Sequence, residues 1–263
     1  MKSIRAAISC SQSAEESVNP KGVAHPEDLK GEFRCVDRSL TRDQDIRDVL
    51  IRELQNIFHD PAKDLILQEF GCKTVRIDVA VINGALHGFE IKSDSDSLAR
   101  LPLQAREYSK IFDFMTLVCG PKLVDGANAI IPGWWGLRLA KLENARVSVV
   151  DIRKPRQNPS QCNEALARML WKKEALRCLR QNGLKGVTSK HPAEEVWAAA
   201  ATLLPTRILA NEARLAIRAR GGSGFAKRST PNDGLCTIES SSPDSRSQNL
   251  QWLLSQLSPN PLG

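Results

Sequence analysis

The stretch Arg76–Ser93, RIDVAVINGALHGFEIKS, constrains the fold more than any other part of the chain. Two runs rich in Val, Ile, Ala and Phe flank Asn83-Gly84, the strongest short-range signal for a β-hairpin. Side chains alternate across a strand. Val75, Ile77, Val79 and Val81 therefore form one wholly apolar face, with Arg76, Asp78 and Ala80 on the other. On the second strand His87, Phe89 and Ile91 share a face, and Gly88, Glu90 and Lys92 the opposite one.

Register decides whether these charges meet. A two-residue Asn-Gly turn would pair Ile82 with Ala85 and put Asp78 opposite Phe89, on the wrong side of the sheet from Glu90. A three-residue loop, Ile82-Asn83-Gly84 with Gly84 left-handed, pairs Val81 with Ala85 and Asp78 with Gly88. Glu90 is then the diagonal neighbour of Asp78 on the same face, and the apolar faces match. That loop or an equivalent bulge is expected. The charged face has two readings. It is a solvated row, as E-x-K on a strand commonly makes, or it is a metal site. Two carboxylates repel unless a cation lies between them. Mg²⁺ (or Mn²⁺) suits Asp78 and Glu90 with a backbone carbonyl such as that of Ile91 and several waters. Lys92 can then hold the attacking water or stabilise developing negative charge.

Around the hairpin, Ile46, Val49, Leu50, Leu54 and Ile57 recur at helical spacing and predict an amphipathic helix that ends by Pro61. Leu65–Phe70 reads as a strand. A helix over Leu101–Phe112 has Pro102 in its first turn. Met115–Cys119 is a short apolar run of the buried parallel kind, followed by a short helical piece and a strand in WWGLRLAKL. A helix between the third and fourth strands permits a parallel crossover, so the expected class is α/β. Beyond Pro155 and Pro159 only helical patterns follow: Asn163–Gln181 opening on a capping Asn, Pro192–Leu204, and Thr206–Arg220. Residues 1–40 and 221–263 are polar and expected to be disordered, apart from a short helix in NLQWLLSQL.

The arrangement resembles the PD-(D/E)XK nuclease superfamily, whose restriction-endonuclease-like core runs αβββαβ. Asp78 on the second strand and Glu90-Ile91-Lys92 on the third carry the resemblance. Glu53 in VLIRELQNIF matches a glutamate that the family often places on its first helix. Gln104 and Tyr108 in LPLQAREYSK match a Gln and Tyr one turn apart on the helix after the motif. Ile77 stands where many members have proline. The run from Ile77 to Gln104 also looks like an uncharacterised bacterial family of this fold. The resemblance covers roughly residues 43–140. It implies a Mg²⁺-dependent endonuclease or phosphodiesterase. Asp78, Glu90 and the Ile91 carbonyl would bind metal, Lys92 and Glu53 would act on water, and Gln104 and Tyr108 would orient the site.

Charge points to the partner. The formal net charge is +7, and between residues 160 and 228 Lys and Arg outnumber Asp and Glu more than two to one. A localised basic surplus suits a polyanion, DNA first. The segment CLRQNGLKGVTSKHPAEEVWAAAATLL faintly resembles a SAP-type DNA-binding module, with Lys185 and Lys190 on phosphates; otherwise it is a helical cap. Arg76 and Arg100 are further candidate phosphate contacts. Trp134-Trp135 could stack bases but fits a core equally, and His87, facing away from Asp78, fits a core or rim role.

The seven cysteines form no C-x-x-C pair and read as buried small hydrophobes in a reducing compartment. No apolar run is long enough for a membrane span or a signal peptide, so a cytoplasmic protein is expected. The organisation expected is a tail (1–40), a nuclease-like core (41–155), a basic helical domain (160–220) and a second tail (221–263). A protein partner or a second copy of the chain is also open. The alternative function is a catalytically silent nucleic-acid-binding or scaffold protein of the same fold.

Overall fold

A computed structural model of the chain describes residues 41–72, 75–144 and 146–221. The tails, all but Gly221, and the expected NLQWLLSQL helix lie outside the described residues. In chain order the elements are α1 (Asp43–Ile57), β1 (Leu65–Cys72), β2 (Val75–Ile82), β3 (Leu86–Lys92), α2 (Leu101–Ser109), β4 (Phe114–Cys119), α3 (Val124–Ile130), β5 (Gly136–Glu143) and β6 (Arg146–Arg153). Four helices complete the chain: α4 (Asn163–Ala167), α5 (Lys172–Gln181), α6 (Ala193–Leu203) and α7 (Thr206–Ala219). The class is mixed α/β. All six strands lie in one sheet in sequence order. β2 and β3 are antiparallel, β3–β4 and β4–β5 parallel, and β5–β6 antiparallel.

Two compact units divide the chain. Among the described residues, one takes 41–69, 77–106 and 114–158; the other takes 70–76, 107–113 and 159–221. In the first, α1 places Ile46, Leu50 and Leu54 against Val79, Val81, Phe89, Ile91 and Val118. The helix holds because its apolar side chains recur at 3.6-residue spacing, and Asp43 and Asp45 in its first turn favour the helix N-terminus. Burying each of these aliphatic side chains stabilises the unit by roughly 1.5–3 kcal/mol. Beyond β3 the sequence Ser-Asp-Ser-Asp closes on itself: Asp96 Oδ2 accepts from Ser93 N and Oγ, each at 2.7 Å. Asp94 ties this turn to the start of α1, accepting from Thr41 N at 3.1 Å and Thr41 Oγ1 at 3.0 Å.

The hairpin differs from expectation in its absolute register and agrees in parity. Ile82 pairs with Leu86, Val81 with His87 and Val79 with Phe89. The three-residue loop is thus Asn83-Gly84-Ala85, closed by Asn83 N donating to Ala85 O at 3.0 Å, with Gly84 left-handed at φ 65°. The two-residue slide leaves every side chain on its expected face. It makes Asp78 and Glu90 the next residues along their strands, rather than placing Asp78 opposite Gly88.

β6 completes a hairpin with β5 across Asn144, a left-handed non-glycine at φ 50°. In the second unit the expected single helix Asn163–Gln181 is two. α4 stops at Ala167, and Trp171 is extended before α5 restarts. Glu174 causes the restart by accepting from Trp171 N at 2.7 Å, and Trp197 Nε1 donates to the Leu170 carbonyl at 3.0 Å. Asn163 is no cap; its amide donates to Ala201 O and Leu204 O. Leu166, Leu170, Leu176, Leu179, Val196 and Leu209 make this unit's core.

His87 is a core residue. It stacks on Phe89 at 4.1 Å, and its Nε2 lies 2.8 Å from Thr116 Oγ1. Burial, aided by the charge of Arg138, pushes the imidazole pKa down from 6.5 to about 3. Between those values the unfolded chain binds a proton that the folded chain excludes, so stability falls as pH falls. The slope is about 1.4 kcal/mol per pH unit. Urea unfolding should therefore show about 2 kcal/mol lost from this residue between pH 7 and pH 5. His87→Gln should abolish that part; an unchanged pH dependence would contradict it.

Trp135 is fully buried, with Trp134 half-buried and edge-on at 6.0 Å. Among the described cysteines, Cys119 and Cys178 are buried free thiols, which burial pushes up to about 12 and about 11. Among the described residues no helix is long and apolar enough to cross a membrane.

Candidate active site

The charged face of the hairpin is not a solvated row. Glu90 is 2% and Lys92 5% exposed. Every residue of β3 is buried, because both faces of this central strand are covered. Lys92 Nζ donates to Glu90 Oε1, and Gln104 Nε2, from α2, donates to the same oxygen at 2.5 Å. Two donors on one carboxylate oxygen answer the cost of burying it. The other amide atom of Gln104, Oε1, is buried without a hydrogen-bond partner. Flipping the amide would set that oxygen against the Glu90 carboxylate, so the orientation is dictated by the neighbour.

Asp78 is held from two sides. Its Oδ2 accepts from the Ile91 backbone N at 2.7 Å, and its Oδ1 accepts from Arg47 Nη2 at 2.8 Å. Arg47 Nη1 also donates to the Asp78 carbonyl at 3.2 Å. Burial pushes the Asp78 pKa up, against the pull of the Ile91 N–H and the Arg47 charge. Arg47 meets two more carboxylates, Asp43 at 3.0 Å and Glu69 at 2.8 Å. Burial opposes its charge, yet Asp78 and Asp43 together raise its pKa. Glu69 is itself left-handed at φ 53°, a strained conformation for a residue with a side chain.

α1 does reach the site, but through Arg47 rather than Glu53. Glu53, six residues further on, pairs with Arg138 at 2.9 Å, and Arg138 also holds Asp151 at 2.7 Å. Tyr108 is buried; its hydroxyl donates to the Arg76 carbonyl at 2.6 Å and its ring meets Phe112 edge-on. The Ile91 side chain belongs to the apolar cluster under α1, which leaves its backbone as the part that meets Asp78. Arg76, Arg100, Lys185 and Lys190 are exposed. Sequence reasoning missed Arg47. Its signal was position: it lies three residues before Leu50 and seven before Leu54, on the flank of the buried stripe.

The sequence profile of the family described as Bacteriophage P4 protein cII matches residues 37–226. The chain belongs to the bacteriophage P4 protein cII family. Protein cII of Enterobacteria phage P4 is 37% identical over 81 residues, which is 31% of this chain and 31% of that protein. The match thus spans about a third of the relative's length. A protein of unknown function from Silicibacter pomeroyi is 17% identical and covers 58% of this chain and 99% of its own, with a TM-score of 0.35.

In this cII-family chain the donor set suits a hard divalent cation. Asp78 and Glu90 offer carboxylate oxygens, and Gln104 Oε1 is a buried acceptor one hydrogen bond from Glu90. Mg²⁺ is commonly held by one or two carboxylates and waters. A cluster of three or more His, Cys, Asp or Glu does not occur among the described residues.

Proposed function

We propose that the chain is a metal-dependent nuclease that hydrolyses phosphodiester bonds, in DNA first. We also propose that residues 43–119 form a restriction-endonuclease-like αβββαβ core. The order α1-β1-β2-β3-α2-β4, with β4 parallel to β3, supports the second reading. One observation carries the first. Glu90, Lys92 and Gln104 form a buried bonded patch that contains an unsatisfied oxygen acceptor, and Asp78 accepts from the backbone N–H of Ile91, the residue between Glu90 and Lys92. Asp78 and Glu90 would hold Mg²⁺ or Mn²⁺, with the Ile91 carbonyl beside them. Such an ion supplies positive charge beside the scissile phosphate. Lys92 Nζ donates a hydrogen bond to the attacking water or to the charge developing on phosphate oxygen. Gln104 fixes the Glu90 carboxylate. Glu53 pairs with Arg138, and the Tyr108 hydroxyl donates to the Arg76 carbonyl.

Substrate affinity would come from the basic helical unit. Lys173, Arg177 and Arg180 are exposed at helical spacing on α5, and Lys185 and Lys190 are exposed in the loop that follows. Cleavage of circular and linear single- and double-stranded DNA, and of RNA, tests the reading with Mg²⁺, Mn²⁺ and EDTA. Metal-dependent cutting is expected to fall by roughly 10²–10³-fold in Asp78→Asn.

The burial of Glu90 and Lys92 favours a second reading. Their charges are spent on each other, as in a structural pair. A catalytically silent nucleic-acid-binding protein would bind DNA and cut nothing with any metal, and that result would select it.

A further inference from the structure

We infer that Arg47 is the resident counter-ion of Asp78, and that a divalent cation displaces it from Oδ1. The inference rests on the nuclease reading and adds a residue that the resemblance did not supply. Three observations carry it. First, the two Asp78 oxygens have different partners. Oδ2 is fixed by the Ile91 backbone, whereas Oδ1 is held by the Arg47 side chain from α1. The carboxylate therefore stays in place while one oxygen changes cation.

Second, Arg47 has somewhere to go. Nη1 already meets Glu69 at 2.8 Å, and Nε and Nη2 meet Asp43 Oδ1 at 3.2 and 3.0 Å. A guanidinium that gives up Asp78 keeps two carboxylates, so no buried charge is left unpaired. Glu69 is held at a left-handed φ of 53°, which aims a carboxylate at Arg47 at the expense of backbone strain.

Third, the single guanidinium of Arg47 meets three carboxylates, those of Asp43, Glu69 and Asp78. A divalent cation at Asp78 Oδ1 would leave Arg47 to the other two. Arg47 thus keeps Asp78 from being uncompensated before metal arrives, and it is a positioning residue that acts through Asp78.

Calorimetric titration of Mn²⁺ into the full chain tests this without any activity readout. Wild type is expected to bind, and Asp78→Asn to lose binding. Arg47→Met is expected to bind about tenfold tighter or more, since the competing charge-assisted bond is gone. A purely structural arginine would leave affinity unchanged or weaken it. Wild-type binding lost in Asp78→Asn but not tightened in Arg47→Met would overturn the inference and leave the metal site standing. No binding in any variant would overturn the nuclease reading, and the inference with it. If Arg47→Met does not fold, the wild-type spectrum answers, with Arg47→Lys as its reference. The Arg47 Nη–H resonances, identified by their absence in Arg47→Lys, must shift in step with Mg²⁺ occupancy. Resonances that stay fixed through saturation overturn the exchange.

Discussion

Lys92→Met alone is expected to cost about 3–5 kcal/mol of stability, and adding Glu90→Gln should return most of it. The reason is burial. At 6% and 2% side-chain exposure the ammonium and carboxylate are nearly out of water. Removing Lys92 strips a buried anion of its neighbouring cation, and an amide donor from Gln104 does not replace a charge. Glutamine at position 90 removes the anion as well, and its carbonyl oxygen still accepts from Gln104. A pair in solvent would behave differently, with each single substitution costing about 1 kcal/mol or less. Urea unfolding of the two single variants and the double closes the cycle, and a coupling below about 1 kcal/mol would mean the pair is hydrated. The double variant has a second use. It is expected to fold and it lacks Lys92, so under the nuclease reading it binds DNA and does not cut, which separates lost chemistry from lost structure.

The pairing of these residues was readable only in part, and the limit is physical. Alternation fixes which face a side chain takes, so the apolar matching of Val79 and Val81 with Phe89 and Ile91 could be foreseen. It fixes parity alone. Sliding one strand by two residues preserves every face, so the choice between an Ile82–Gly84 loop and the observed Asn83–Ala85 loop had no signal in the pattern. The break at Arg168–Trp171 was hidden for a similar reason: the apolar period runs through it, and the stop comes from Glu174 taking the Trp171 N–H. Arg47 was invisible because a charged residue beside a helical apolar stripe is ordinary. Only the strand beneath α1 reveals that its guanidinium reaches Asp78. Glu53 follows from a family pattern alone, and its pairing with Arg138 on β5 has no signal in the sequence.

Asp113→Ala should destabilise the second unit by about 3 kcal/mol, although on the sequence it is one more charge before a strand. Asp113 is 8% exposed. Arg214 Nη1 reaches its two oxygens at 3.1 and 2.9 Å, and Gln161 Nε2 reaches Oδ1 at 3.3 Å. The partners are 101 residues apart, so the pair fastens the 107–113 segment to α7. Two effects compete in setting the size. Coulomb attraction between solvated ions is screened and worth little. Stranding a guanidinium that is mostly out of water costs several times more, and the 17% exposure of Arg214 places the pair nearer that limit. Asp113→Asn keeps an oxygen acceptor and should lose about half as much. Salt decides between the effects. A loss that persists in 1 M NaCl belongs to the buried pair, whereas one that disappears would mean the ions are hydrated and the segment is held by its apolar contacts. Contacts this distant in sequence close a long loop, so they are expected to form late in folding. In stopped-flow unfolding most of the Asp113→Ala effect should therefore appear as a faster unfolding rate, with refolding little changed.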